Sequence, residues 1–176
     1  MKRILTLALI MLIPQAGRAD TAAVSEDQVK AAYLYNFVKF IEWPRESFAS
    51  DSAPLRICVL GRESVSSILH DITKGKMLNG RSIQVENPAQ VSQASPCQVV
   101  FITGDNRDSR GTLERLRGLS IVTVGEHDRF LEAGGVINFA IEHERVRFEI
   151  NAGVARRARL KISAQLLSVA KSVKGE

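Results

Sequence analysis

The hydrophobic and polar positions of the chain first define a helix that is apolar nearly all round. From Val29 to Pro44 (VKAAYLYNFVKFIEWP), apolar residues recur at helical spacing in two adjacent stripes. A helix of this kind is buried between other elements when it is too short to span a membrane, as this one is. Ser25 and Gln28 predict its start through a capping box, and Pro44 predicts its end. We therefore expect the domain to pack around this helix.

Beyond Pro54 the pattern alternates between short apolar runs and amphipathic segments. The runs predict strands at 55–60, 82–85, 98–103 and 121–124, and the segments predict helices at 64–73, 112–117 and 127–133. Runs such as ICVL and VVFI are continuously apolar, which is typical of strands that are buried on both faces of a parallel sheet. The alternation predicts an α/β fold, a mostly parallel sheet with helices on both faces.

The last third of the chain departs from this alternation. Residues 136–151 predict two antiparallel strands joined near His143 and Glu144, in a turn without the glycine that two-residue hairpins prefer. A long final helix is expected from residue 151 to residue 173, with one apolar face. The prediction is a single domain over 20–176, with an antiparallel C-terminal hairpin at the sheet edge and long N- and C-terminal helices.

The N-terminus has the pattern of a secretory signal. Lys2 and Arg3 precede an apolar run, and small residues around Ala19 predict a signal peptide over 1–19. A membrane anchor is the alternative, although the run is about half of the ~20 residues that a span needs. The full chain carries a formal net charge of +5, and loss of the signal's three cations leaves about +2. This charge is too small to predict a nucleic-acid partner.

Two cysteines, Cys58 and Cys97, remain in a chain that is exported to an oxidising compartment. Each lies on or beside a predicted apolar strand, and neighbouring strands bring Cα atoms within the roughly 4.4–6.8 Å that a disulfide requires. Two separate buried thiols are the alternative, because free cysteine behaves as a small apolar residue. A disulfide here would contribute on the order of 3–4 kcal/mol by the chain-entropy model.

Motifs of the common enzyme and nucleotide-binding classes are missing from the sequence. It contains no GxSxG, CxxC, HExxH or GxxxxGK[ST] pattern, and His70, His127 and His143 lie on separate predicted elements. Asp105 and Asp108 follow a strand but have no third predicted ligand, so we expect no metal site. The sequence therefore predicts a protein without a cofactor that works by binding rather than by catalysis.

An aromatic residue and an arginine cluster are the candidates for partner binding. Trp43 lies just beyond the first predicted helix, and Arg156, Arg157 and Arg159 crowd the first turns of the last one. Aromatic and arginine side chains are enriched in binding surfaces. The alternatives are a core position for Trp43 and a solvated face for the arginines.

Three glycines are candidates for ligand binding. Gly61, Gly104 and Gly125 each follow a predicted strand of the parallel sheet. Ligands of doubly wound sheets bind outside the carboxyl ends of the strands. A small-molecule site near these glycines is therefore an alternative to partner binding.

Seven stretches of the mature chain match, in their order and spacing, the signature of one known family. They are VKAAYLYNFVKFIEWP at 29–44, GKMLNGRSIQV at 75–85, CQVVFI at 97–102, VTVGE at 122–126, GGVINFAIE at 134–142, VRFEIN at 146–151 and LKISAQLLSVA at 160–170. Together they resemble the YfiR-like family of small periplasmic proteins. The resemblance covers nearly the whole mature chain.

This resemblance implies a periplasmic regulator. YfiR-like proteins are described as repressors that hold the periplasmic sensor region of an inner-membrane diguanylate cyclase and thereby control cyclic di-GMP. Relatives also carry a cysteine pair on the segments of Cys58 and Cys97, and some carry a second pair that this chain lacks. The implied partner is that membrane protein, and a homodimer is left open. The alternative is a periplasmic small-molecule sensor of a signalling system.

Overall fold

The computed structural model describes residues 24–94, 96–103 and 109–175. The predicted signal peptide, Gly104, Asp105 and Asp108 lie outside these residues. Within them, no helix combines the length and the apolar character that crossing a membrane requires.

The described residues form five α-helices and ten strands. The helices are α1 (Glu26–Phe37), α2 (Glu63–Thr73), α3 (Ser109–Leu116), α4 (Ala152–Arg157) and α5 (Ala164–Val169). The strands are β1 (Ile41–Glu42), β2 (Leu55–Leu60), β3 (Met77–Leu78), β4 (Arg81–Glu86), β5 (Val99–Ile102), β6 (Val122–Gly125), β7 (Ile137–Glu142), β8 (Arg145–Asn151), β9 (Lys161–Ile162) and β10 (Ser172–Lys174). Short 3-10 turns cover Arg45–Ser47 and Val91–Ala94.

Eight of the strands form one sheet in the order β10-β8-β7-β6-β5-β2-β4-β3. The five central strands, β4, β2, β5, β6 and β7, are parallel, and β7 and β8 form an antiparallel hairpin. The predicted fold class is confirmed, although the short parallel strand β10 lies outside the hairpin. The order in which the chain adds strands reverses at β2, because β4 lies on one side of β2 and β5 on the other. The topological switch point of the sheet therefore lies between β2 and β5.

Apolar clusters cover both faces of this sheet, as the continuous apolar runs predicted. Phe101 of β5 belongs to the cluster under α1 and α2, whereas its neighbours Val100 and Ile102 belong to the cluster under α3. Successive side chains of a strand point to opposite faces, so a strand buried on both sides is apolar at every position.

Helix α1 begins where the capping box predicted and ends earlier than expected. The Ser25 backbone N–H donates to Gln28 Oε1 at 2.7 Å, and the Gln28 N–H donates to Ser25 Oγ at 3.2 Å. The helix stops at Phe37 instead of continuing towards Pro44. Ile41 then pairs with Ile162 of β9, a partner about 120 residues away. This long-range pairing, which no local pattern reveals, replaces the last helical turn.

The prediction of one long C-terminal helix is wrong. Helix α4 ends at Arg157, and Arg159 adopts a left-handed φ of 59° that interrupts the helix. Ser163 then caps the separate helix α5 by accepting a hydrogen bond from the Leu166 N–H at 3.2 Å. The apolar spacing that indicated one helix comes from two short helices with a strand between them.

Two further elements differ in detail from the prediction. The segment 127–133 forms turns rather than a helix, and Arg129 within it has a φ of 64°. The hairpin turn lies at His143 and Glu144 as predicted, with φ values of 47° and 60°. Two successive left-handed residues correspond to the type I′ turn of hairpins, here formed without glycine.

Candidate partner-binding groove

Two adjoining cavities form an open groove beside α3, and we call them together the α3 groove. The first cavity has a volume of about 450 Å³ and the second of about 210 Å³. Both are lined by Gly118, Leu119 and Ile121, in the segment that connects α3 to β6. The groove therefore runs continuously from α4 to the start of β5.

The first cavity combines apolar walls with charged side chains. Leu113 and Leu116 of α3 form one wall, and Val154 of α4 lies on the other side. Arg117, Arg157 and Glu132 also line this cavity, and Arg157 is the one of the three that has no ion pair within the described residues. Apolar walls with cationic side chains beside them suit an occupant that carries both apolar and acidic groups.

The break after α4 places two of the predicted arginines in the groove. Arg157 lines the first cavity and Arg159 the second. Arg159 Nη1 pairs with Glu46 Oε1, and both side chains are exposed. For Arg157, no ion pair is formed within the described part of the chain. Its guanidinium therefore keeps its donors available to a carboxylate from outside.

Arg156 does not line the groove. Its Nη2 donates to the Gly175 carbonyl oxygen at 2.5 Å, just beyond β10. The sequence predicts the three arginines together in the first turns of one helix, whereas the structure brings only Arg157 and Arg159 to the groove. A contact between Arg156 and a partner stays a prediction.

Trp43 contacts a residue in the wall of the second cavity but does not line the cavity itself. The partly buried indole packs against the apolar cluster under α1, and its Nε1 donates to the Gln98 carbonyl oxygen at 3.1 Å. Gln98 lines the cavity, and its side chain donates to the Ser47 carbonyl oxygen at 2.8 Å. Trp43 thus positions a wall of the groove, and its direct contact with a partner stays a prediction.

The disulfide between Cys58 and Cys97 is confirmed. Cys58 lies on β2 and Cys97 two residues before the neighbouring strand β5, with their Cα atoms 6.0 Å apart. Both residues are buried, and Cys97 also lines the second cavity. The covalent link between the two strands is therefore part of the wall of the α3 groove.

Gly61 and Gly125 lie at the carboxyl ends of β2 and β6, as the sequence predicted, but side chains of this chain fill the space beside them. A Cβ atom at Gly61 would lie 2.4 Å from Thr103 Oγ1, and one at Gly125 would lie 2.4 Å from the Phe130 ring. Neither glycine lines the α3 groove. Their missing side chains serve internal packing, and a ligand at these two positions stays a prediction.

The structure also brings together an ionic cluster that the sequence analysis missed. Lys30 of α1 donates to the carboxylate of Glu126, which directly follows β6, and Arg62 Nη2 lies 3.3 Å from the other Glu126 oxygen. Arg62 Nη1 also donates to Asp27 Oδ1 at 3.0 Å, and Ser64 Oγ donates to Asp27 Oδ2. The signal in the sequence is Lys30, a cation within a helix that is otherwise apolar nearly all round.

These contacts change the acidity of Asp27. The hydrogen bond from Ser64 lowers its pKa most strongly, and the Arg62 guanidinium lowers it further, against the opposing effect of burial. The pKa of Asp27 therefore lies below its ordinary value of 3.8. The cluster occupies the carboxyl ends of β2 and β6 and ties α1 to them.

Comparisons with known proteins agree with this fold. A family model described as YfiR/HmsC-like matches residues 27–171. The crystal structure of a conserved domain protein from Vibrio cholerae O1 biovar El Tor str. N16961 is similar, with a TM-score of 0.54 at 12% sequence identity. The alignment covers 85% of this chain and 60% of that chain, and at this identity it shows a shared fold only. No curated protein matches the chain.

Proposed function

This chain belongs to the YfiR/HmsC-like family, and from that premise we propose that it represses an inner-membrane diguanylate cyclase by binding the cyclase's periplasmic sensor region. The family consists of periplasmic, non-catalytic regulatory domains that act in cyclic di-GMP signalling together with inner-membrane proteins. The observation in this chain that supports the proposal is the α3 groove, where apolar walls lie beside Arg157, a cation without an ion pair in the part of the chain that the structure describes.

Repression requires the protein to distinguish two states of its partner. A binding protein shifts an equilibrium only by its differential affinity for the two states, and a shift from 1:99 to 99:1 needs about 10⁴-fold. Apolar side chains of the inactive sensor state would enter the first cavity, and an acidic side chain would pair with Arg157. Charge-assisted hydrogen bonds of this kind are roughly twice as strong as neutral ones.

The disulfide supports this surface in the proposed mechanism. Because Cys97 lines the second cavity, loss of its bond to Cys58 would loosen β2 and β5 at the groove. We expect reduction to destabilise the protein and to release the partner. Full repression by a Cys58→Ser, Cys97→Ser double variant would count against any redox role.

Affinity capture tests the proposal. The oxidised mature protein, residues 20–176, is immobilised and exposed to detergent-solubilised membranes of its own organism, and the bound proteins are identified by mass spectrometry. We expect a membrane protein with a diguanylate cyclase domain to be enriched, and Arg157→Glu to abolish the enrichment. Arg147→Glu, at an exposed position of β8 outside the groove, is the matched control. Absence of such a protein, or equal capture by both variants, would contradict the proposal.

A small-molecule sensor is the second candidate function. The first cavity, at about 450 Å³, is within the range of roughly 300–1,000 Å³ that small-molecule pockets occupy. A specific ligand would raise the melting temperature by mass action. A thermal-shift screen of periplasmic metabolites, repeated with Arg157→Glu, therefore separates this candidate from the protein-binding one.

A further inference from the structure

We propose that, when its disulfide is reduced, this protein binds a zinc ion between the thiolates of Cys58 and Cys97 and the carboxylate of Glu86. The proposal does not rest on the proposed partner, although Cys97 also lines the α3 groove. It starts from the position of Glu86, the last residue of β4.

Sheet register places the carboxylate beside the sulfur atoms. Cys58 and Glu86 are direct partners across the parallel pair β2 and β4. Side chains at paired positions of neighbouring strands point to the same face of the sheet. Cys97 reaches this face from the other side of β2, so the three ligand atoms come from three adjacent segments.

The distances are compatible with one tetrahedral ion. The two sulfur atoms and a Glu86 carboxylate oxygen all lie within 4.8 Å of one another. Ligands of one zinc ion lie roughly 3.5–4 Å apart, given Zn–S bonds of about 2.3 Å and Zn–O bonds of about 2.0–2.2 Å. The Cα separation of 6.0 Å allows the cysteine side chains to reach this spacing by rotation. The fourth position is left to water, as in zinc sites with three protein ligands.

Opening the disulfide needs a reductant, and the chemical class that fits is a thiol. Two thiol molecules give two electrons and two protons to the Cys58–Cys97 bond, and they leave as one disulfide. The two cysteine thiols that result lose their protons when zinc binds, because the thiolate is the ligand. Zinc itself is neither oxidised nor reduced.

Arg56 completes the charge balance of the proposed site. Two thiolates and one carboxylate carry three negative charges, and zinc compensates two of them. The Arg56 Nε atom lies 3.1 Å from Glu86 Oε1, so its guanidinium compensates the third and leaves the other carboxylate oxygen for the metal. A neighbouring group that orients and neutralises a ligating carboxylate is typical of metal sites. Because Arg56 and Glu86 are both partly exposed, an ion can enter from solvent.

Zinc is the ion that the ligand set favours. Two thiolates select soft or borderline ions over Mg²⁺ and Ca²⁺, which prefer oxygen ligands. The consequence would be a second cross-link between β2 and β5: the metal would hold the strands together in the state in which the disulfide is lost. The zinc ion would thereby keep β2 and β5 linked after the Cys58–Cys97 disulfide is reduced.

Cobalt binding tests the proposal, because Co²⁺ occupies zinc sites and its bonds to thiolates absorb light. The mature protein is reduced, freed of reductant without oxygen and titrated with Co²⁺ and then Zn²⁺. We expect one equivalent of Co²⁺ to produce thiolate-to-metal charge-transfer absorption that Zn²⁺ abolishes. The Glu86→Gln variant should bind Co²⁺ at least about tenfold more weakly.

Glu142→Gln is the matched control for this experiment. Glu142 also ends a strand, is also ion-paired, and has the same 39% exposed side chain as Glu86. We expect it to bind Co²⁺ like the unmodified protein. Equal affinities of the two variants, or no charge-transfer absorption in the reduced protein, would overturn the proposal. The comparison holds even if reduction unfolds the chain, since in an unfolded chain neither carboxylate would matter more than the other.

Discussion

Lys30 and Glu126 form an ion pair whose side chains are only 3% and 6% exposed. Lys30 lies on α1 and Glu126 directly after β6, so the pair connects the N-terminal helix to the carboxyl end of the central sheet. Lys30 also donates to the more exposed Glu26, and Arg62 contacts the second oxygen of Glu126. Removal of one member of a buried pair leaves an uncompensated charge, which costs more than the pair contributes.

Replacement of Lys30 should therefore destabilise the fold strongly. We expect Lys30→Met to lower the free energy of unfolding by about 3 kcal/mol, because the buried Glu126 carboxylate loses its most buried counter-ion and keeps only the more exposed Arg62. Urea denaturation at neutral pH measures this loss. The double variant Lys30→Met, Glu126→Leu should recover much of it, since apolar replacements of a buried pair are often nearly neutral.

A second lysine provides the control for that prediction. Lys39→Met removes an exposed hydrogen bond of 3.0 Å to Asn36 and should change the free energy of unfolding by less than about 1 kcal/mol. If Lys30→Met were as mild as Lys39→Met, the buried pair would not stabilise the attachment of α1.

The lowered pKa of Asp27 makes part of the stability dependent on pH. Because the folded-state pKa lies below the ordinary value of 3.8, the ionised carboxylate favours the folded state. This contribution is complete above 3.8 and is lost as the pH falls through the lowered pKa. Ser64→Ala removes the largest cause of the shift, so we expect it to lower stability at neutral pH but not at a pH below the lowered value. Denaturation of both proteins across this range measures the difference, and a difference independent of pH would contradict it.

The strands of the central sheet could be predicted from the sequence because their signal is local. The apolar run ICVL at 57–60 lies within β2, and the amphipathic segment that ends at Thr73 matches α2. The C-terminal segment could not be predicted in this way. Its helix is interrupted by the left-handed Arg159 and by pairing of Ile162 with Ile41, and both depend on tertiary contacts.

The candidate site was predictable only in part, for the same reason. Arg157 and Arg159 stand out as a cluster in the sequence, but the α3 groove, whose first cavity Arg157 lines and whose second Arg159 lines, is formed by segments about 40 residues apart in the chain. The ion pair of Lys30 could not be predicted at all. Its partner Glu126 follows a strand 96 residues later, so the sequence alone could not distinguish a buried ion pair from a solvated lysine.

The Phe130 ring should determine how well Gly125 tolerates substitution. Cβ atoms at Gly125 and Gly135 would lie 2.4 Å and 2.1 Å from this ring, so the two glycines enclose it. We expect Gly125→Ala to cost about 1–3 kcal/mol through overpacking, measured by chemical denaturation. In combination with Phe130→Leu the two costs should be less than additive, because the smaller side chain vacates the space. Additive costs would mean that the ring is not what excludes a side chain at this position.

Substitutions in the hairpin turn between β7 and β8 should increase the stability of the protein. His143 and Glu144 have φ values of 47° and 60°, a conformation that costs an L-residue roughly 1–2 kcal/mol. Asn followed by Gly is the preferred pair of a type I′ turn. We expect His143→Asn, Glu144→Gly to raise the free energy of unfolding by about 1 kcal/mol, because relief of strain exceeds the entropy that glycine loses on folding. Thermal and urea denaturation measure the gain, and Glu144→Ala, which keeps a Cβ atom, should show none. A loss of stability on introducing glycine would mean that this turn is not left-handed in solution.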